Sequence, residues 1–122
     1  MDPIEQDLLK CISDAKSFEE LAYPLEVLIS KGYDIWKDGH LYITKALVDR
    51  VDGLRIEIRP REHNPPHFHI RGSSIDASFT IEDGECLKGN IDSRTSHLIK
   101  WWYDNGGKLA LIKIWNETRP TN

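Results

Sequence analysis

Three segments in the second half of the chain alternate apolar and polar residues with a period of two. They are Leu54-Arg55-Ile56-Glu57-Ile58-Arg59, His67-Phe68-His69-Ile70-Arg71 and Ile75-Asp76-Ala77-Ser78-Phe79-Thr80-Ile81. Successive side chains on a β-strand point to opposite faces, so each segment reads as a strand with one buried and one polar side. A meander of such strands buries Phe68 and Ile70 and leaves Asp76, Ser78 and Thr80 outward. Its polar face then gathers Arg55, Glu57, Arg59, His67, His69, Arg71 and Asp76. The Glu82-Asp83-Gly84 turn fits a three-residue loop with Gly84 left-handed, a register that sets Phe79 opposite Leu87.

Ahead of this region the periodicity changes. Asp2-Pro3 reads as an N-cap followed by a proline at the first helical position, with Ile4, Leu8, Leu9 and Ile12 at helical spacing. Ser17-Phe18-Glu19-Glu20 has the Ser-x-x-Glu form of a capping box. Pro24 is expected to interrupt that second helix, with a further turn or two ending at Gly32. Tyr33 to Ile43 is a hairpin pattern around Asp38-Gly39. After the strands, Asp92 or Ser93 caps a helix carrying Leu98, Ile99, Trp101 and Trp102, stopped by Gly106-Gly107. The stretch from Lys108 to Asn116 fits a strand or a helix, and helix is preferred.

Three short helices and a hairpin in residues 1–50 raise a DNA-binding winged-helix arrangement, which the charge argues against. This part holds six Lys/Arg against ten Asp/Glu and so carries the whole net charge of −4. The third helix of such a module should offer cations to phosphates, yet Pro24 to Lys31 offers only Lys31, opposed by Glu26. No stretch approaches the ~18 apolar residues of a membrane helix, and the start resembles no signal peptide. Two cysteines, Cys11 and Cys86, make no disulfide framework, so a reduced, cytoplasmic protein is expected. Cys86 falls in a strand and reads as a packed thiol. The tryptophans Trp36, Trp101, Trp102 and Trp115 could stack on bases, but the spacing of Trp101 and Trp102 with Leu98 favours core packing.

Between the first two alternating segments lies Glu62-His63-Asn64-Pro65-Pro66-His67-Phe68-His69, with three of the five histidines in seven positions. Imidazole titrates near neutral pH, so clustered histidines point to proton transfer or metal ligation. The two prolines fix φ and stiffen the loop that presents them. Arg59, Arg61 and Arg71 beside them suit a planar anion such as phosphate, because guanidinium is a rigid two-pronged donor.

Three chemistries remain open at this point. Metal-free RNA cleavage would use two of His63, His67 and His69 as acid and base, with Arg59, Arg61 or Arg71 on the phosphate. A divalent transition metal such as zinc could instead be held by His63, His67 and His69, with Asp76 completing the set, although the nearby arginines oppose a cation. A structural role would have the histidines bond loop carbonyls while the exposed face docks a partner protein. His40 and His97 read as incidental.

The stretch from about Val51 to Pro120 resembles the bacterial family known as domain of unknown function 4160. The resemblance rests on Gly53 to Ile58 leading into Glu62 to His69, on Phe79-Thr80-Ile81-Glu82-Asp83-Gly84-Glu85-Cys86-Leu87-Lys88-Gly89, and on the tryptophan-bearing helix with Trp115-Asn116. It implies a small bacterial protein encoded beside another small protein, in a pairing similar to toxin–antitoxin modules. It carries no established activity, so no catalytic role is transferred.

The expected whole is one α+β domain over residues 1–122. An N-terminal helical and hairpin extension (1–50) precedes a family core (51–120) of a three- to four-stranded antiparallel sheet with C-terminal helices. The expected function is the toxin-like member of such a pair, binding a cognate small protein and cleaving RNA at the His63/His67/His69 cluster. The alternatives are the metal-binding module and, least favoured, the DNA-binding regulator.

Overall fold

Ser17 ends the first inter-helix link by accepting the Glu20 N–H on its hydroxyl at 3.1 Å, the first half of the expected capping box. The reciprocal bond closes one residue early: Glu20 Oε2 accepts from the Lys16 N–H at 2.9 Å. This helix, α2 (Phe18–Ser30), follows α1 (Pro3–Asp14) in a computed structural model that describes residues 3–44, 53–58, 66–72 and 74–118. Asp2, the expected cap of α1, lies outside them.

Pro24 does not interrupt α2, contrary to the sequence expectation. A mid-helix proline removes one N–H and crowds the preceding turn. Here it sits buried among Leu21, Ala22, Leu25, Leu28 and Ile29, whose packing offsets that cost. The third helix of a winged-helix arrangement is therefore simply the second half of α2. The helix closes with Lys31 N–H on the Val27 carbonyl, and Gly32 at φ +78° turns the chain away.

The hairpin β1 (Tyr33–Ile35) and β2 (Leu41–Ile43) follows as expected. Its turn is closed by Trp36 N–H on the His40 carbonyl and Gly39 N–H on the Trp36 carbonyl, both 2.8 Å. His40 is not incidental: its Nδ1 lies 3.0 Å from Oε2 of Glu5, a carboxylate only 2% exposed, whose Oε1 accepts the Leu41 N–H at 2.7 Å. The first turn of α1 is thereby tied to the hairpin. His97 stands 3.8 Å from Asp34.

The second half forms an antiparallel sheet in the order β3 (Arg55–Glu57), β4 (His67–Arg71), β5 (Asp76–Thr80), β6 (Cys86–Lys88). Ile56, Ile70 and Ala77 line up across three strands, and Phe68 stacks on Phe79 with ring centroids 5.4 Å apart. This apolar face meets the helical layer through Trp102 and Tyr103, whose rings stand 6.1 and 6.3 Å from Phe68.

Two expectations for the sheet are corrected. Phe79 pairs with Cys86, not Leu87, because the turn holds four residues, Ile81–Gly84, closed by the Thr80 N–H on the Glu85 carbonyl. A bulge then restores the pairing of Ser78 with Lys88 and leaves Leu87 as the extra residue, 46% exposed. Gly84 is left-handed as expected, at φ +71°. Ser78 and Thr80 share the histidine face but are buried, at 6% and 8% exposure, rather than open to water. Thr80 is covered by its own turn, its hydroxyl accepting from the Asp83 and Glu85 N–H groups at 3.2 Å each.

Asp92 caps α3 (Ser93–Trp102) by accepting the Thr95 N–H at 2.7 Å, and those Thr95 hydrogen bonds hold the Asp92 carboxyl below the usual range. The break at Asn105–Gly106, with Gly106 at φ +123°, separates α3 from α4 (Lys108–Thr118), so the final stretch is helical. Trp101 and Trp102 are core residues whose indole N–H groups reach the Gly39 and Leu21 carbonyls. Trp36 is exposed and meets Tyr42 edge-on at 5.4 Å. Arg94, unremarked in the sequence, donates to the carbonyls of Leu28, Ile29 and Tyr33 at 2.8 to 3.1 Å. It satisfies the open end of α2 and joins it to β1.

Candidate functional site

The pleat of β4 determines where the histidines go. His67 and His69 are two residues apart, so both leave the strand on the face opposite Phe68 and Ile70. Their rings touch edge to face, with centroids 5.0 Å apart and planes at 62°. Both are half-buried. Across the sheet His67 pairs with Thr80, and His69 lies between Glu57 and Ser78.

Arg71, next on the same face, is held by carboxylates on both sides. Its Nη1 lies 3.9 Å from Glu57 Oε2, and its Nε lies 3.4 Å from Asp76 Oδ1. The Nε is shielded from solvent and makes no aligned hydrogen bond among the described residues, so the Asp76 contact is purely ionic. These groups border a groove of about 500 Å³ lined by His67, His69, Arg71, Asp76, Ser78 and Lys88, among others.

Of the expected site residues, the fold brings His67, His69 and Arg71 together. Arg59, Arg61 and His63 lie outside the described residues. Asp76 pairs with Arg71, at the opposite end of β5 from the partner of His67, roughly 13 Å along the strand. Among the described residues, no group of three His, Cys, Asp or Glu is placed to hold a metal ion.

Sequence reasoning missed Lys88. The signal was the alternation beyond the Gly84 turn, which sets Lys88 against Ser78 and so on the histidine face. An account built on arginine beside histidine passes over a lone lysine on a short edge strand.

Chemically, the arrangement offers two adjacent imidazoles, able to exchange protons, beside cationic side chains able to neutralise an anion. Among the described residues no helix is long and apolar enough to cross a membrane. No curated protein and no solved structure matches the chain. The model of the family described as domain of unknown function (DUF4160) matches residues 53–116, which include β3 to α3 and most of α4. With more than half of its length matched, the chain belongs to that family.

Proposed function

We propose that the His67/His69 groove binds single-stranded RNA and cleaves it without a metal. The observation that carries this reading is the contact between the two imidazoles, 5.0 Å apart, in a groove that also holds cationic side chains. One imidazole takes the 2′-hydroxyl proton as the 2′-oxygen attacks phosphorus. The other gives a proton to the departing 5′-oxygen as the phosphorus–oxygen bond breaks. The products are a 2′,3′-cyclic phosphate and a 5′-hydroxyl, and the two imidazoles exchange protonation states through water. A cation beside the phosphorane stabilises the charge that develops there.

The same proposal includes a cognate small protein that covers this face and restrains the activity, a reading supported by the resemblance to paired small bacterial proteins. A cytoplasmic setting belongs to the same proposal, supported by the two free, exposed cysteines, Cys11 and Cys86.

The test is cleavage of a single-stranded oligoribonucleotide in excess chelator by wild type, His67→Ala and His69→Ala. The expected result is cleavage by wild type and a loss of about 10²-fold or more in each variant, the usual scale for one acid or base. Equal rates in all three proteins, or activity that disappears with chelator, contradict the reading. The second outcome would favour a metal shared by the two imidazoles.

A further inference from the structure

We infer that Lys88, rather than Arg71, is the side chain that grips the phosphate in this groove. The inference rests on the RNA-binding part of the function proposed above and assigns the anion contact within it.

The sheet register places Lys88 in line with the site. Glu57 pairs with His69, His69 with Ser78, and Ser78 with Lys88, so carboxylate, imidazole, hydroxyl and ammonium cross four strands in one row. Neighbouring strands are about 4.8 Å apart, which puts the Lys88 backbone roughly 10 Å from that of His69. The flexible four-carbon arm of lysine spans much of that gap, and the residue between is a small, buried serine.

The bulge in β6 is what places Lys88 there. The turn-side register pairs Phe79 with Cys86. Continued without a bulge, it would set Leu87 opposite Ser78 on the histidine face and turn Lys88 toward Ala77 and the core face. Taking Leu87 out of the ladder reverses this. Gly89 then holds the strand end flat against β5: at φ +109°, a Cβ there would lie 2.5 Å from the Asp76 carbonyl oxygen and 2.7 Å from the Ala77 Cα.

The distribution of charge makes the same choice. Arg71 is engaged by Glu57 and Asp76, which stand on either side of it and would compete with an incoming anion. Among the described residues Lys88 has no carboxylate within ion-pair distance. An incoming phosphate meets an ammonium with no carboxylate partner among the described residues at Lys88, and at Arg71 a guanidinium it must share with Glu57 and Asp76. Lysine on an edge strand also discourages pairing with a second chain. That role needs only surface charge and makes no contribution to anion binding.

The experiment is fluorescence anisotropy with a labelled 2′-O-methyl oligoribonucleotide, which lacks the attacking hydroxyl, titrated in chelator across a salt series. Wild type, Lys88→Ala, Lys88→Arg and the surface control Lys113→Ala are compared, with thermal melts confirming folding. Lys88→Ala is expected to bind several-fold more weakly and to flatten the log–log salt slope by about 0.7, one phosphate contact on a single strand. Lys88→Arg retains binding, and Lys113→Ala matches wild type. Wild-type affinity and slope in Lys88→Ala, or an equal loss in Lys113→Ala, overturns the assignment. If wild type binds and Lys88→Ala does not, while unmodified RNA stays intact, the Lys88 assignment stands and the acid/base chemistry falls. If wild type fails to bind the oligonucleotide, both fall.

Discussion

His67 and His69 meet ring to ring on one face of β4, 5.0 Å apart, while Phe68 between them is fully buried against Phe79, Trp102 and Tyr103. The two facts share a cause. The core anchors the strand through Phe68 and Ile70, and the two-residue pleat then leaves the imidazoles no other direction. A site mounted on a strand pinned by a large aromatic cluster has its backbone position set by the core.

The anchoring can be tested at the core. Trp102 is fully buried, touches Phe68 and donates its indole N–H to the Leu21 carbonyl at 3.1 Å. Trp102→Ala is expected to destabilise the protein by about 3–5 kcal/mol through the cavity it leaves. Trp102→Phe should cost less, though it still removes the indole donor to the Leu21 carbonyl. Urea unfolding followed by circular dichroism checks both.

Arg94 makes a different prediction, because its contribution is polar. Arg94→Met keeps much of the apolar stem but removes the donors to Leu28, Ile29 and Tyr33. A loss of about 2–3 kcal/mol is expected, the scale of charged hydrogen bonds to groups left without partners. Arg94→Lys should recover only part of it, since one ammonium cannot reproduce the guanidinium fork. A shift in urea midpoint at unchanged slope would confirm a stability effect.

Much of this organisation was legible in the sequence, for physical reasons that can be named. Period-two alternation specified three strands and their buried faces, and Asp92 and Ser17 announced helix starts because their side chains bond the first free N–H groups. The misreadings share a different origin. Pro24 carries a local signal to stop a helix, and only its burial in tertiary packing overrides that signal. The β5–β6 register depended on whether the turn held three or four residues, a choice made by Thr80 accepting two turn N–H groups and by Gly89 allowing close approach to β5. Arg94 was invisible because its partners are carbonyls more than 60 positions away. Lys88 was overlooked because nothing in its own neighbourhood marks it; its position becomes meaningful only once Ser78 and His69 stand beside it.

Gly89→Ala tests the β6 placement directly. The added methyl would collide with the backbone of Asp76 and Ala77 at a left-handed φ. The expected result is a loss of about 1–3 kcal/mol from strain, with hydrogen-exchange protection falling first in Cys86–Lys88. Oligonucleotide affinity should fall as well, because Lys88 loses its aim.

The Asp92 cap yields a pH prediction. Its carboxyl is held below the usual range by the hydrogen bonds from Thr95, against a smaller opposing effect of burial. The folded value lies below the unfolded one, so the stabilisation is fully present above the unfolded pKa and is lost as pH falls through the folded value. Asp92→Ala is expected to cost about 1 kcal/mol at pH 7. The gap between variant and wild type should narrow in acid, as thermal melts across pH would record.

The central claim is metal-free RNA cleavage with one β4 imidazole as base and the other as acid, and the chemical nature of the RNA ends tests it most directly. Fragments made by wild type in excess chelator, examined by mass spectrometry, should carry 2′,3′-cyclic phosphate and 5′-hydroxyl termini, with about 10²-fold fewer from His69→Ala. Fragments ending in 3′-hydroxyl and 5′-phosphate groups, or intact RNA after prolonged incubation, would contradict the account.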